Sequence, residues 1–545
     1  MKTLFSTLLI LCCFIMHVVA QTGSVLWHFD THDKSFGNAA MADLDNDGKP
    51  EIVFSCYWND SSIYALNAEN GSLLWKKNMG GCNDAAPIIW DVDNNGVKDV
   101  ILASSCNPVL TCFAGNDGSI KWQTPFGGTD SPPSIADVDG DGKVDLLTGD
   151  FAGYLCCYNP VNGALKWKVL VDSDAAIEAS PALVDINQDG HPDIIVNTWS
   201  FAGNNHDSSA IYAYNGLTHT LIWKNSMPSD FIYHGAAFGD IDEDGKPELA
   251  VTCYDKYLYV LNGENGSLKW KYAAADSAYV GDPPVIADLD KDGHLDILYI
   301  GGYGDVVMLD RFGNLKWSYL LPTYESSFRG AALADINNDD TLDVVFSCSN
   351  GILYALNGSR GNLIWSKDLA ADYGNTAFEL EQEPLIADFN NDDTLDIFVV
   401  GGHAEYPAIT NNYGRAYAVK AAKGKGPAWT MFQHDAVRSN CLCPTAPAGI
   451  ETPTQTVLDF TAFPNPGSKV YFNLSLQHEE KVSMMIYDMQ GRKISTLVNK
   501  NLSAGDYQFV WQGLTDTGAI SPAGMYVCQI HAGHRTSEKK IVLRY

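Results

Sequence analysis

Positive charge is scarce in this chain. Its 545 residues hold 35 lysines and arginines against 66 aspartates and glutamates, a formal net charge of −31. A surface of that sign repels polyphosphate and anionic headgroups, which excludes nucleic acid and acidic membrane surfaces as partners. It also repels itself, so a compact fold needs cations to absorb the excess. Long apolar runs are absent beyond the first twenty residues, leaving no later segment able to span a bilayer. That opening stretch, residues 1–20, reads as a secretory signal: Lys2, the apolar Leu4 to Val19, then Val18-Val19-Ala20 ahead of Gln21. Helical periodicity is lacking throughout. So are His/Cys clusters of the zinc type, Ser-His-Asp arrangements and phosphate-cradling glycine loops. Two of the 13 cysteines lie in the signal, and the odd remainder of 11 leaves at least one thiol unpaired per exported monomer.

What the chain has instead is one pattern, eight times. The segment Asp43-Leu-Asp-Asn-Asp-Gly-Lys-Pro-Glu51 returns with starts at Asp91, Asp137, Asp185, Asp240, Asp288, Asp335 and Asp388, at spacings of 48, 46, 48, 55, 48, 47 and 53 residues. A short run opened by small residues or proline precedes each copy, and a run of strand formers such as Ile52-Val-Phe follows. A hairpin comes next, exemplified by Ile63 to Trp75 around Asn70-Gly71, where glycine tolerates the positive φ of a tight turn. Four strands in about 48 residues predict a propeller blade, which buries both faces only by stacking around a ring. The expectation is an all-β chain: an eight-bladed β-propeller over 21–440, with seven as the alternative count, then a small β-sandwich. Trp75, Trp122, Trp167, Trp223, Trp270, Trp317, Trp365 and Trp429 are expected to end the hairpins and pack between blades. Ser24 to Asp30, with Trp27, reads as a spare strand able to close the ring against the last blade.

The nine-residue loop has the chemistry of a calcium site. Calcium takes six to eight oxygens from carboxylates, amides and backbone carbonyls. Positions 1, 3, 5 and 9 supply them: Asp43, Asp45, Asp47 and Glu51; Asp91, Asp93, Asn95 and Asp99; Asp137, Asp139, Asp141 and Asp145; Asp185, Asn187, Asp189 and Asp193. The series continues with Asp240, Asp242, Asp244 and Glu248; Asp288, Asp290, Asp292 and Asp296; Asp335, Asn337, Asp339 and Asp343; and Asp388, Asn390, Asp392 and Asp396. Glycine at position 6 allows the reversal, and Asp340 and Asp393 replace it in the last two copies, predicting weaker sites there. These ligands account for 28 of the 66 acids, and up to eight Ca2+ ions would cancel 16 charges. Magnesium, which keeps its waters and demands an octahedron, fits less well.

The loops and the strands before them resemble FG-GAP/VCBS repeats, best known from integrin α-chain propellers, and the Gly-x-Leu-x-Trp hairpins resemble the PQQ-like repeat. Together they cover roughly residues 24 to 435. In the first family such loops bind calcium, which the resemblance carries to the positions named above.

Composition changes after Asn440. Residues 441–456 form a proline- and threonine-rich linker, and from Val457 onward 9 Lys/Arg outweigh 7 Asp/Glu. The unit 457–545 resembles the type A sorting domain of the type IX secretion system of Bacteroidota, through Phe463-Pro-Asn-Pro-Gly, Ile486-Tyr-Asp-Met-Gln-Gly-Arg-Lys, Ala523-Gly-Met-Tyr526 and Lys539-Lys-Ile-Val-Leu. That resemblance implies passage across the outer membrane on the secretion machinery, and a secreted or cell-surface location.

The functional expectation is a binding or adhesion module for an extracellular glycan or protein, presented on loops such as Thr198 to Ser209 and His403 to Asn412. The alternative is an enzyme resembling the polysaccharide lyases that use calcium-dependent propellers, with His206, His219, His234, His403 or His434 as candidate base. A quinoprotein dehydrogenase with a Cys156–Cys157 disulfide is disfavoured, because neighbours in a strand point to opposite faces.

Overall fold

The computed structural model describes residues 23–199, 209–274, 279–322, 326–327, 329–422, 424–429, 460–463, 467–476, 480–488, 492–503, 505–532 and 535–544. The signal segment, the 441–456 linker, His206, His434, Cys441 and Cys443 lie outside the described residues. Two compact units divide after Ile450.

The first unit is the propeller, with eight antiparallel sheets. In the first blade the strands are Ala40–Ala42, Glu51–Ser55, Ser62–Asn67 and Leu73–Asn78, ordered from the axis outward. The second strand is buried at all five residues, because neighbouring blades cover both faces of its sheet, whereas the outermost strand alternates. Apolar clusters therefore sit between blades. One joins Ile52, Phe54 and Tyr64 of the first blade to Phe398, Val400 and Ala416 of the eighth.

Ring closure follows the spare-strand expectation. Ser24–Thr31 pairs antiparallel with Tyr413–Ala422 and becomes the outermost strand of the eighth blade. Leu395–His403 is that blade's second strand, and Glu379–Leu380 with Leu385–Ala387 forms its interrupted inner edge. The assignment of Trp429 is corrected by this arrangement. Lys425–Trp429 adds a fifth strand to the inner edge of the seventh blade, pairing with Ala331–Asp335, and Trp27 takes the outer-strand place. Among the described residues a short α-helix, Leu369–Tyr373, capped by Asp368, and a 3-10 turn at Ile409–Asn411 interrupt the strands.

The tryptophans tie each blade to the next, as packing residues. The Trp27 indole N–H donates to Ala68 O of the first blade at 2.8 Å. Trp75 donates to Gly115 O, Trp122 to Pro160 O, Trp223 to Gly263 O, Trp270 to Arg311 O and Trp317 to Gly358 O. The hairpin glycine of each next blade lies flat on the ring: a Cβ at Gly71 would fall 2.4 Å from Trp27, and at Gly266 2.5 Å from Trp223. In the fourth blade His219 stands in that place, stacked on Trp167 at 4.1 Å.

The second unit is a sandwich. Phe460–Phe463, Val470–Leu476 and Gly505–Trp511 form one sheet. Lys493–Leu502, Glu480–Asp488, Gly524–Ala532 and Arg535–Leu543 form the other. Val470, Phe472, Met484, Ile486, Cys528 and Ile541 meet in the core between them.

Candidate metal loops and an axial cavity

Each acidic loop leaves the end of a blade's innermost strand and enters the second, so all eight lie on one face of the ring. Two residues per loop are left-handed. Position 6 was foreseen: Gly48 has φ 87°, and Asp340 and Asp393 adopt 67° and 61° in its place. Position 4 was not. Asn46, Asn94, Gln188, Glu243, Lys291, Asn338 and Asn391 all have φ between 56° and 65°, with Gly140 at 71°. Asparagine bears this conformation most readily among residues with a Cβ, and four asparagines at that position were the legible signal.

The turn places the acids as follows. In the first loop Asp43 Oδ2 accepts from Gly48 N at 3.0 Å, Asp47 Oδ1 from Lys49 N at 2.8 Å and Glu51 Oε2 from Leu44 N at 2.8 Å. The position 9 residue forms the floor, with Glu51 at 0% exposure and Asp99 at 1%. Positions 1, 3 and 9 converge, with one oxygen from each within 4.8 Å of the others, in Asp43/Asp45/Glu51, Asp91/Asp93/Asp99, Asp137/Asp139/Asp145, Asp240/Asp242/Glu248 and Asp288/Asp290/Asp296. Position 5 stays outside these triplets, holding the position 7 N–H in every copy. In the fourth and seventh loops Asn187 and Asn337 instead donate to the floor residues Asp193 and Asp343. In the eighth, Asn390 Oδ1 accepts from Asp392 N.

These donors fit a hard divalent cation. Asp43 Oδ1, Glu51 Oε1, Asp240 Oδ1, Asp242 Oδ1 and Asp396 Oδ1 are buried without a hydrogen-bond partner. Burial, followed by the Asp45 and Asp43 charges, pushes Glu51 up to about 7 against the opposing Leu44 N–H. Burial likewise raises Asp343 and Asp396 to about 7. A carboxylate so placed gains from any cation that enters.

The loops are not equivalent, however. Lys121 Nζ reaches Asp93 at 2.7 Å and Asp99 at 2.9 Å. Lys166 contacts Asp139 and Asp145, Lys269 contacts Asp242 and Glu248, and Lys316 contacts Asp290, Asp292 and Asp296. Each of these lysines precedes its blade's tryptophan. Leu74, Ile222 and Ile364 stand there in the first, fourth and seventh blades.

The opposite face carries a second site. Seven residues ahead of each loop's first aspartate the sequence has Phe36, Asp84, Asp130, Glu178, Tyr233, Gly281, Phe328 and Glu381; all but Phe328, which lies outside the described residues, stand at the axial start of a blade. Phe36, Asp84, Asp130, Tyr233 and Glu381, with Tyr57 and Arg329, line a cavity of about 240 Å³. This eightfold register is present in the sequence but carries no shared residue type, unlike the acidic loops at the other end of the same strands. Asp84 and Asp130 share a hydrogen bond. Burial and then the Asp130 charge raise Asp84 well above the usual carboxylate range. Burial, then Asp130, pushes Glu178 up to about 9, and burial pushes Asp282 up to about 8. Among the described residues that line the cavity Arg329, only 2% exposed, is the cation, and Lys34 pairs with Glu379 and Glu381 and stands 4.4 Å from the centre of the Phe36 ring.

Aromatic side chains spread outward from this mouth. Phe36 meets Tyr57 at 4.8 Å, and Trp58 meets Tyr406 at 5.9 Å. On the other side Tyr233, Trp199, Phe231, Tyr254, Tyr279 and Tyr303 follow one another at 4.8 to 6.1 Å. From the two expected presenting loops Trp199 and Tyr406, the latter 73% exposed, stand on this face; residues 200–208 of the first lie outside the described residues. Among the described residues the candidate histidines do not gather. His219 packs on Trp167, His234 is buried against Tyr233, and His403 lies near Tyr413. Cys156 and Cys157 enter different inter-blade clusters and are buried thiols. Among the described cysteines a disulfide joins Cys82, two residues from Asp84, to Cys106.

Fold and loops together define a propeller with one acidic, loop-bearing face and one aromatic mouth. The chain carries FG-GAP-like repeats, matched at residues 91–148, 137–196, 185–251 and 288–346, and its second unit matches the FlgD Ig-like domain at 465–535. A curated relative, the tetrathionate hydrolase of Acidithiobacillus ferrooxidans, is 23% identical over 256 residues, 45% of this chain and 44% of that protein. The match thus spans less than half of the relative's length. Among solved structures, Sqt1 of Saccharomyces cerevisiae has a TM-score of 0.53 at 12% identity, covering 74% of this chain and all of that one. A europium-containing methanol dehydrogenase has 0.52 at 12% identity, covering 73% and 93%. These likenesses show the fold alone.

Proposed function

We propose that this protein is an exported, calcium-clipped propeller that works as a ligand-binding module, for glycan or protein, at or beyond the cell surface. The observation that carries the reading is the division of labour between faces. Buried carboxylate oxygens without partners gather at the loops, and an aromatic mouth around a charged cavity opens on the other side. Calcium bound to folded loops stabilises by mass action, about 1.4 kcal/mol for each site held tenfold above its Kd. Chelation should lower the melting temperature of the purified protein sharply, and calcium rather than magnesium should restore it. Metal analysis finding none bound, with an unchanged melting curve in chelator, would remove the reading.

The C-terminal sandwich is proposed to act as a type IX sorting domain, placing the protein in the Bacteroidota. The sequence pieces at Phe463, Ile486 and Ala523 support this, and the Cys82–Cys106 disulfide supports an oxidising destination. Deleting residues 457–545 should retain the propeller in the periplasm.

One observation favours an enzymatic second reading. The hydrogen-bonded Asp84–Asp130 pair is a proton-transfer couple lining a cavity. An ultraviolet assay for unsaturated product on acidic polysaccharides, and a tetrathionate hydrolysis assay, decide it.

A further inference from the structure

We propose that the axial cavity binds the ammonium or guanidinium group of a small organic cation, held by Asp84 and Asp130 between the rings of Phe36, Tyr57 and Tyr233. This rests on the ligand-binding reading above and names the chemistry of that site.

Shape comes first. At about 240 Å³ the cavity is smaller than a drug-sized pocket, so it takes a side-chain-sized group and leaves the rest of a ligand to the aromatic surface outside. Its walls combine three aromatic rings with carboxyls, and the chain's own cations already use two of those rings, Lys34 at 4.4 Å from Phe36 and Arg329 at 6.0 Å from Tyr233, so ring faces and charge together suit an organic cation. Neutral sugars also stack on aromatics, but the electrostatics of this cavity point elsewhere.

Charge is the second argument. Asp84 and Asp130 line the cavity, and Glu178 stands at the same register one blade on. Its Oε2 is buried without a partner, in a side chain only 2% exposed. The charges that bear on Glu178 are those of Asp130, Arg329 and Asp84, three residues of the cavity wall. Glu381 shares the Lys34 ammonium with Glu379. Asp282 hydrogen-bonds Ser327 and the Gly330 backbone and also feels Arg329. Among the described residues Arg329 is the cation whose charge bears on Asp84, Asp130, Glu178 and Asp282, while Lys34 is engaged with Glu379 and Glu381. The phenol of Tyr57 registers the same field: burial, then Asp84 and Asp130, pushes it up to about 12.

Without a ligand the cavity meets this imbalance by keeping protons. An entering cation replaces them: a protonated carboxyl ionises, its proton leaves to solvent, and the carboxylate pairs with the bound cation. Binding should therefore release about one proton per ligand near neutral pH.

The test uses the full chain in calcium-containing buffer, titrated calorimetrically with butylammonium, tetramethylammonium and agmatine. Galactose and acetate serve as neutral and anionic probes, and each titration is repeated in two buffers of different ionisation enthalpy. Saturable binding of at least one cation with proton release is expected. Asp130→Asn should weaken it by about tenfold or more, whereas Arg329→Gln, which removes the competing cation, should strengthen it. General damage to the fold would weaken both variants, and melting curves identify it separately. No cation binding, cation binding without proton release, or weakening by Arg329→Gln in a protein with wild-type melting would each overturn the proposal. Saturation by galactose alone would also sink it while leaving the ligand-binding reading standing. Failure of every probe together with an unchanged melting curve in chelator would remove both.

Discussion

Lys269 reaches across its blade from the outermost strand and places its ammonium between Asp242 and Glu248, two of the three acids that converge there. Lys121, Lys166 and Lys316 do the same, so in four loops a lysine of the chain lies between converging acids, and in the eighth Lys420 reaches Asp392. An ammonium offers one charge and no exchangeable coordination shell, and calcium must displace it to gather the same oxygens. The first loop, with Leu74 at the equivalent place, imposes no such competition. Replacing Lys269 with methionine keeps the stem and removes the charge. We expect the variant to melt lower without metal and to bind calcium more tightly at that loop, as read by calorimetric titration. Leu74→Lys should do the reverse to the first loop. An unaltered titration in both would mean that the lysines move aside at no cost. The ligand positions were legible because carboxylates at fixed spacing have few other uses. The lysines were not, since each lies 20 or more residues from its acids and meets them only through strand register.

At the scale of the strand, closure depends on Ser24–Thr31 and on Trp27, whose ring spans the seam to Ala68. Trp27→Ala removes an inter-blade contact and leaves a cavity beneath Gly71, and should destabilise by about 3–5 kcal/mol in equilibrium denaturation. A change no larger than that of an exposed outer-strand residue such as Leu73 would argue against a latch. The spare strand could be read from its composition, since Leu26-Trp27 matches the Leu74-Trp75 that ends the first blade's hairpin. Trp429 could not be placed correctly. Spacing along the chain reports only local order, and nothing local says that the eighth blade borrows its outer strand from the far terminus while Lys425–Trp429 turns inward to the seventh.

For the whole molecule, the axial cavity predicts an unusual response to pH. Glu178 and Asp282 have raised values of about 9 and about 8, both caused first by burial. In the unfolded chain these acids ionise at ordinary values, so the folded state holds more protons over the interval between. Their contribution to stability is complete below the ordinary carboxylate range and is lost as pH rises through 8 to 9. The slope is up to about 1.4 kcal/mol per pH unit for each group. Calcium-saturated protein should therefore melt lower with rising pH across this range, and Glu178→Gln should flatten the decline. A flat profile in the parent protein would mean that these carboxyls ionise freely.

The strand that completes the eighth blade also sets an order of events during synthesis. Ser24–Thr31 emerges among the first residues of the propeller, yet its partner Tyr413–Ala422 follows almost four hundred residues later. Until then the nascent chain is an open arc, with an unpaired edge at one end and a solitary strand at the other. A product truncated within the last repeat can stack its early blades but has nothing to receive its own beginning. Such fragments should stay prone to proteolysis and edge-to-edge association, so that completeness of the chain is checked by the geometry of the ring itself.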